Sequence, residues 1–454
     1  MILRRWPRTR FASIAWNTLV VAAAFGLAAA AGLLRNIIIG RQFGIGADLD
    51  AYYAAFKLPD LIFSIVAGGA LATAFIPVFA NFLATDDRAG AWRLASAVTN
   101  LVVVAVTGLA VVAGLLAPWI VRTLIAPGFT PAAQAETAAV MRILLLSTIV
   151  FGVSAVQGSA LHGFKHFLLP ALAPVVYPLG IVAGAVWLSP IWGTRGLAVG
   201  AVVGACLHLA IKIPALLRYG FRWQPVLDLG GPAVRRVLWL LGPRLLDLGV
   251  FHATLIMMTN LASRLGPGSV SALEWGWDAM QLPETIIGTA FGLVAFPTLA
   301  ELAAQGDLVG LRRTLHQTLR VVVALTVPAA VGLILLGRPL LQLLYQRGAF
   351  DAHSTEAVYV ALRFYALGLV GHSCLELVAR AFFARQDTVT PLLLATASAV
   401  VNILLGLLLM RPLGFGGLAL SNSIAVTAEV IALYVVLRRR LRGESTEGRL
   451  KIQD

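Results

Sequence analysis

The chain has 454 residues, 59% of them hydrophobic and only 12% charged, with a formal net charge of +14 and a mean hydropathy of +0.86. Soluble domains carry about 25% charged residues, so the composition excludes an ordinary soluble protein and points to a chain that crosses a membrane many times. Apolar runs long enough for a hydrocarbon core about 30 Å thick recur throughout, and their Gly, Ala and Leu content suits helices rather than the alternating strands of a barrel.

MILRRWPRTR supplies a basic start before the first apolar run, 11–34. That run exceeds the roughly 7–15 residues of a signal-peptide core, so it reads as an uncleaved first span. Eleven more spans follow, at about 50–83, 92–124, 135–164, 168–189, 195–218, 234–263, 270–303, 313–345, 355–384, 388–410 and 414–438. The second and eighth are long enough to require tilt, a kink or a turn outside the lipid. Cys206 and Cys374 fall inside apolar runs and read as packing residues, with no disulfide framework. Arg4, Arg5, Arg8 and Arg10, the even-numbered connections and the tail carry most of the basic residues, including Arg88, Arg93, Lys165, Arg218, Arg235, Arg236, Arg312, Arg313 and Arg438–Arg440. The opposite side has fewer, so both termini are expected in the cytoplasm. Basic residues dispersed among short loops argue against nucleic-acid binding and for attraction to anionic membrane lipids.

The chain repeats itself. PWIVRTLIAPGFTPAAQAETAAVMRILLLS from Pro118 parallels PLLQLLYQRGAFDAHSTEAVYVALRFYALG from Pro339. Pro118 and Pro339, Arg142 and Arg363, Pro170 and Pro391, and Gly196 and Gly417 are each separated by 221 residues (339 − 118, 363 − 142, 391 − 170, 417 − 196). The fold class expected is therefore an all-α polytopic membrane protein, with about twelve transmembrane helices in two six-helix lobes around a central cavity. An even number of spans per repeat relates the lobes by an axis along the membrane normal. The lobes would be 1–220 and 237–440, joined by a cytoplasmic connection at 221–236 and followed by a basic cytoplasmic tail at 441–454.

No phosphate-binding loop, HExxH zinc motif or G-x-S-x-G nucleophile is present, so no catalytic residues, metal or cofactor are expected. His162 and His166 in HGFKH read as residues at a cytoplasmic helix end rather than metal ligands, for want of a third ligand. Ionisable groups within or bordering spans carry the information, because they are costly in lipid and usually face a cavity. Arg35 ends the first span, and Asp50, Ala54 and Lys57 share one face of the second if it is helical; the other reading is a headgroup-level set with Lys57 snorkelling. Arg244 and Asp247 neutralise each other across a turn of the seventh span. Glu274 and Asp278 lie one turn apart early in the eighth span, and Pro283 before Glu284 must disturb that helix. His372, Glu376 and Arg380 form an i, i+4, i+8 stripe in the tenth, either a water-lined relay or a self-satisfied polar cluster.

GRQFGIGADLDAYYAAFKLPD, AGGALATAFIPVFANF, APGF and FFARQDTVTP resemble the lipid II flippase family called MurJ or MviN, of the multidrug/oligosaccharidyl-lipid/polysaccharide exporter superfamily, along nearly the whole chain. The resemblance implies no enzyme. It implies a transporter of peptidoglycan and cell wall biogenesis, and of cell shape, in the bacterial inner membrane. Such a transporter moves an undecaprenyl-pyrophosphate-linked precursor to the outer leaflet by alternating access, with cell-wall synthesis enzymes as further partners. It assigns substrate binding to Arg35 and Lys57, which match the family's cavity arginine and the lysine of KLP, and to Asp50, which matches the acid of D-A-[FY]. Glu274, Asp278, His372 and Glu376 are the candidates for cavity or ion coupling. The sequence departs from the family pattern in three places. LIFS at Leu61–Ser64 lacks the usual basic residue, Gly68 replaces an acid, and Asp278 stands where an arginine is expected. Many members also carry two further C-terminal spans, which this sequence does not include. A related transporter for another polyprenyl-linked unit, a cation-coupled drug exporter and a non-transporting scaffold for wall assembly are the alternatives.

Overall fold

A computed structural model describes the backbone of residues 10–67, 69–228 and 230–450; within these, the side chains of 10–22, 25, 67, 69, 70, 240–247 and 442–450 are not described. Twelve helical rods form among the described residues, and no strand does. The first six are α1 (Arg10–Phe43), α2 (Ala47–Ala84, on either side of Gly68), α3 (Arg88–Ile125), α4 (Pro131–Gly163), α5 (Leu168–Trp192) and α6 (Thr194–Arg218). The second six are α7 (Pro232–Ser263), α8 (Ser269–Ala304), α9 (Leu308–Tyr345), α10 (Ala352–Ala384), α11 (Val389–Leu413) and α12 (Phe415–Leu450). Ten of the twelve are long and apolar enough to cross a membrane on their described residues, and α7 adds the shorter apolar stretch Leu248–Ser263. The protein is thus a multi-pass, all-helical membrane protein. Side chains such as Ile191 and Val294, 77% and 78% exposed, belong on a surface whose solvent is lipid.

The chain divides into two compact units, Met1–His252 and Ala253–Asp454. In the first, α4 packs against α2, α3 and α6, and α5 against α1 and α6. In the second, α10 packs against α8, α9 and α12, and α11 against α12. Corresponding helices are six apart along the chain, so the sequence repeat reappears as a repeat of packing. It reappears in the backbone as well. Thr130 caps α4 by accepting from the Ala133 amide, and Asp351, 221 residues later, caps α10 by accepting from the Ser354 amide. Lys165 and Gln386 take φ values of 59° and 60° in the turns that follow. Gly193 and Gly414, again 221 apart, take φ of 55° and 57° between the last two helices of each unit, a region that glycine enters without penalty.

Two details fix how helices meet. At the α5–α6 crossing, a Cβ on Gly184 would stand 2.6 Å from the Gly196 carbonyl oxygen and 2.7 Å from the Gly200 Cα. These backbones touch as small-residue membrane interfaces do. At the α10–α11 turn, Asp387 accepts from the Thr390 amide at 3.0 Å and the Thr390 hydroxyl at 2.7 Å, and pairs with Arg440 of α12. The RQD stretch therefore acts as a latch between the turn and the basic end of α12. Burial pushes the Asp387 carboxyl up, but the Thr390 and Arg440 contacts outweigh it and hold the group below its usual range.

Gly184→Leu should overpack this crossing and lower stability by about 1–3 kcal/mol or more, read as a fall in melting temperature of the purified protein in detergent. Because the Asp387 carboxyl is held low, its contribution is complete above the ordinary carboxylate range and is lost as pH falls through its depressed folded value. Asp387→Asn should therefore melt below wild type at neutral pH, with the gap closing on acidification; a gap that stays constant with pH would show that the latch does not depend on charge.

Candidate functional site

In the first unit, the face of α2 that carries Asp50, Ala54 and Lys57 is turned into the protein, with relative exposures of 1%, 0% and 8%. Lys57 is buried along this face rather than extended to the surface. Arg35, half-buried on α1, donates from Nε and Nη2 to Asn36 Oδ1 at 3.0 and 2.8 Å. Arg35 and Asp60 both lie within electrostatic reach of Tyr52 and Tyr177. His252 Nε2 sits 2.8 Å from Ser64 Oγ and within reach of Lys57. The unit thus places Arg35, Asp50, Lys57, Asp60 and His252 on or beside the first five turns of α2. Ser64 and His252 occupy the place where LIFS departs from the family pattern; Gly68 lies outside the described residues.

In the second unit, Pro283 is followed by a π-helical turn, Thr285–Thr289, where the broken hydrogen-bond ladder of α8 is absorbed. Glu274 and Asp278 are half-buried one turn apart, and Trp277 between them packs its ring on Tyr365 and His372, with centroids 5.3 and 5.0 Å away. His372 Nε2 bonds Asn422 Oδ1 of α12 at 3.0 Å, whereas Glu376 pairs with Arg380 on its own helix. Within the i, i+4, i+8 stripe, His372 thus bonds across to α12 and Glu376 along its own helix, with Glu376 still in electrostatic reach of His372. Glu284, within reach of both Glu376 and Arg380, bonds the hydroxyls of Thr285 and Thr289 at 3.4 Å.

The side chains of Arg244 and Asp247 lie outside those described. His162 packs on Phe167 and His166 on Tyr219, and no group of three or more metal-binding side chains forms among the described residues. Burial, with Arg218 nearby, holds His166 below the usual imidazole range. Cys374 is buried as a packing residue, but Cys206 is exposed; the outer face of a membrane helix is itself apolar, so a thiol suits it without a core around it. Sequence reasoning missed Lys212, only 3% exposed at the break in α6. A lysine between the apolar stretches HLAI and IPALL was the signal available.

Comparison with known proteins gives this arrangement a lineage. A family model described as lipid II flippase MurJ matches residues 39–452. The lipid II flippase MurJ of Burkholderia cenocepacia is 31% identical over 417 residues, 90% of this chain and 81% of that one. A probable lipid II flippase MurJ of Rhizobium tropici is 30% identical over 419 residues, 90% of this chain and 78% of that one. Among solved structures, a lipid II flippase MurJ in an inward closed conformation superposes with a TM-score of 0.80 at 23% identity, covering 92% of this chain and 87% of that one. An inward-facing multidrug resistance transporter of the MATE family reaches 0.79 at 14% identity, over 91% of this chain and 96% of that one. At such identities these two structures speak for the fold alone. The family match across nearly the whole chain, with two relatives at 30% identity or more, places this chain in the lipid II flippase MurJ family.

Proposed function

We propose that this protein is a lipid II flippase that carries an undecaprenyl-pyrophosphate-linked peptidoglycan precursor from the inner to the outer leaflet of the bacterial cytoplasmic membrane by alternating access. The family match over residues 39–452 carries the reading. The buried charges of the first unit supply its chemistry: Arg35 and Lys57 take the pyrophosphate, arginine's planar fork suiting phosphate oxygens, and Asp50 holds a basic partner or forms part of a gate. The polyprenyl tail stays in lipid while these groups replace the hydration of the head. An inside-negative potential favours outward movement of anionic charge by about 2.3 kcal/mol per charge per 100 mV, a driving force that needs no ATP. The basic bias of the even-numbered connections supports cytoplasmic termini, and cell-wall synthesis enzymes are the natural protein partners of such a transporter.

Asp278, acidic where the family pattern expects an arginine, and Glu274 one turn before it favour a second reading: a related transporter for another polyprenyl-linked unit, or a cation-coupled exporter. Complementation separates the two. Expression in a strain depleted of its own lipid II flippase should restore growth and cell shape, whereas the exporter reading predicts drug resistance without rescue. Arg35→Ala and Lys57→Met, inserted at wild-type levels, should each reduce rescue or measured flipping at least tenfold, from the loss of about 2–5 kcal/mol for a buried charged contact. Full activity of Arg35→Ala would remove that residue from the mechanism.

A further inference from the structure

Lys212 is the most deeply buried lysine of the first unit, 3% exposed, and it does not reach out to a headgroup. Its ammonium donates to the Ser154 carbonyl oxygen at 2.8 Å and to Ser154 Oγ at 2.7 Å. Ser154, 0% exposed, in turn lies 2.8 Å from His208 Nδ1 and 3.3 Å from the His208 carbonyl oxygen. A hydroxyl has one proton, and since Oγ accepts from Lys212, that proton is free to point at Nδ1. The chain of donors thus runs from a buried ammonium, through a hydroxyl, to a half-buried imidazole. Among the described residues no carboxylate pairs with Lys212. A carbonyl and a hydroxyl solvate an ammonium but do not neutralise it, and an unneutralised buried charge is tolerated only at a price in stability.

The repeat shows that the fold does not need the lysine–serine contact, although His208 corresponds to another ionisable residue, Glu429 (208 + 221). Adding the 221-residue offset to Lys212 and Ser154 gives Leu433 (212 + 221) and Leu375 (154 + 221). Leu433 is fully buried and belongs to the apolar core of the second unit, against which Leu375 packs. Two leucines fill in one half the position that a lysine and a serine fill in the other. Shape alone therefore does not explain the polar pair, and ionisable groups inside membrane spans mark functional paths by default.

We propose that Lys212, Ser154 and His208 form a proton-binding site of the first unit, through which this transporter couples to a proton gradient. The exchange step balances without a co-reactant. Lys212 gives a proton to Ser154 Oγ as Ser154 gives its own to His208 Nδ1, leaving a neutral amine, an intact hydroxyl and an imidazolium; the imidazolium releases its Nε2 proton to water, and a proton taken from water restores the Lys212 ammonium. Other titratable and charged groups lie on the packed elements. His162 of α4 lies within electrostatic reach of Lys212; the packed elements also carry Asp50, Lys57 and Asp60 on α2, Tyr177 on α5, Arg35 on α1 and Arg218 at the end of α6.

The coupling role rests on the flippase reading, so the test has one readout with substrate and one without. Full-length protein is reconstituted in liposomes with the membrane potential clamped by potassium and valinomycin, and a fluorescent polyprenyl-pyrophosphate disaccharide serves as probe. With one proton per cycle, a gradient of one pH unit should shift the steady-state leaflet distribution by about tenfold. Lys212→Met, Lys212→Arg and Ser154→Ala should each abolish that shift. A wild type indifferent to the gradient, or a Ser154→Ala protein that keeps the full response, overturns the proposal. Without substrate, the melting-temperature difference between wild type and Lys212→Met in detergent should vary with pH, as linkage requires of an exchanging proton; a constant difference also overturns it. Should the wild type move no probe at all while that difference still varies, the flippase reading fails and the proton site stands.

Discussion

Hydrocarbon offers no hydrogen-bond partner, and that deficit organises this chain. A backbone crossing it must satisfy itself, which only a helix does segment by segment. The same deficit governs the side chains. Thr99, Thr137, Ser159 and Thr326 return their hydroxyls to carbonyls of the preceding turn, so that small polar residues pass through the apolar interior quietly. Other polar groups meet partners on other helices, as Ser423 does on the Phe364 carbonyl and Asn402 on Ser421. Each such contact is modest, about 0.6 kcal/mol on average in membrane interiors. Their value lies in specifying which helices meet.

Much of the fold was legible because its determinants are local. Span lengths, the 221-residue offset and the turn residues are all written within one stretch of chain, and the structure repeats them down to the paired φ values of Lys165 and Gln386. The shared face of Asp50, Ala54 and Lys57 was legible for the same reason, since helical periodicity alone defines it. The partners of polar residues were not. His372 and Glu376 share a face by spacing, yet one is claimed by Asn422, 50 residues away, and the other by Arg380. Lys212 shows the limit most clearly. Near a helix end it has the profile of a residue that snorkels, and only Ser154, 58 residues earlier in the chain, draws it inward.

The two units carry different polar equipment on the same scaffold. The first gathers Arg35, Lys57, Lys212 and His252, with Asp50 and Asp60 among them. The second holds Glu274, Asp278, Glu284 and Glu376 with Arg380. Electrostatics favours an anionic headgroup beside the first set and disfavours it beside the second. The same scaffold thus carries a mixed, basic-leaning set in one half and an acid-rich set in the other.

Recurrent caps and left-handed turns at matching positions are the mark of duplication, and six helical rods per half have an evolutionary corollary. An ancestral polypeptide of half this length would have inserted every copy facing the same way, so two identical copies could associate side by side about a twofold axis. In such a homodimer any mutation appears twice, and a lone lysine at the position of Lys212 would have forced a second unneutralised cation on its twin. A single chain that encodes Leu433 and Lys212 separately is free of that constraint, so one half can carry a lysine where the other carries a leucine.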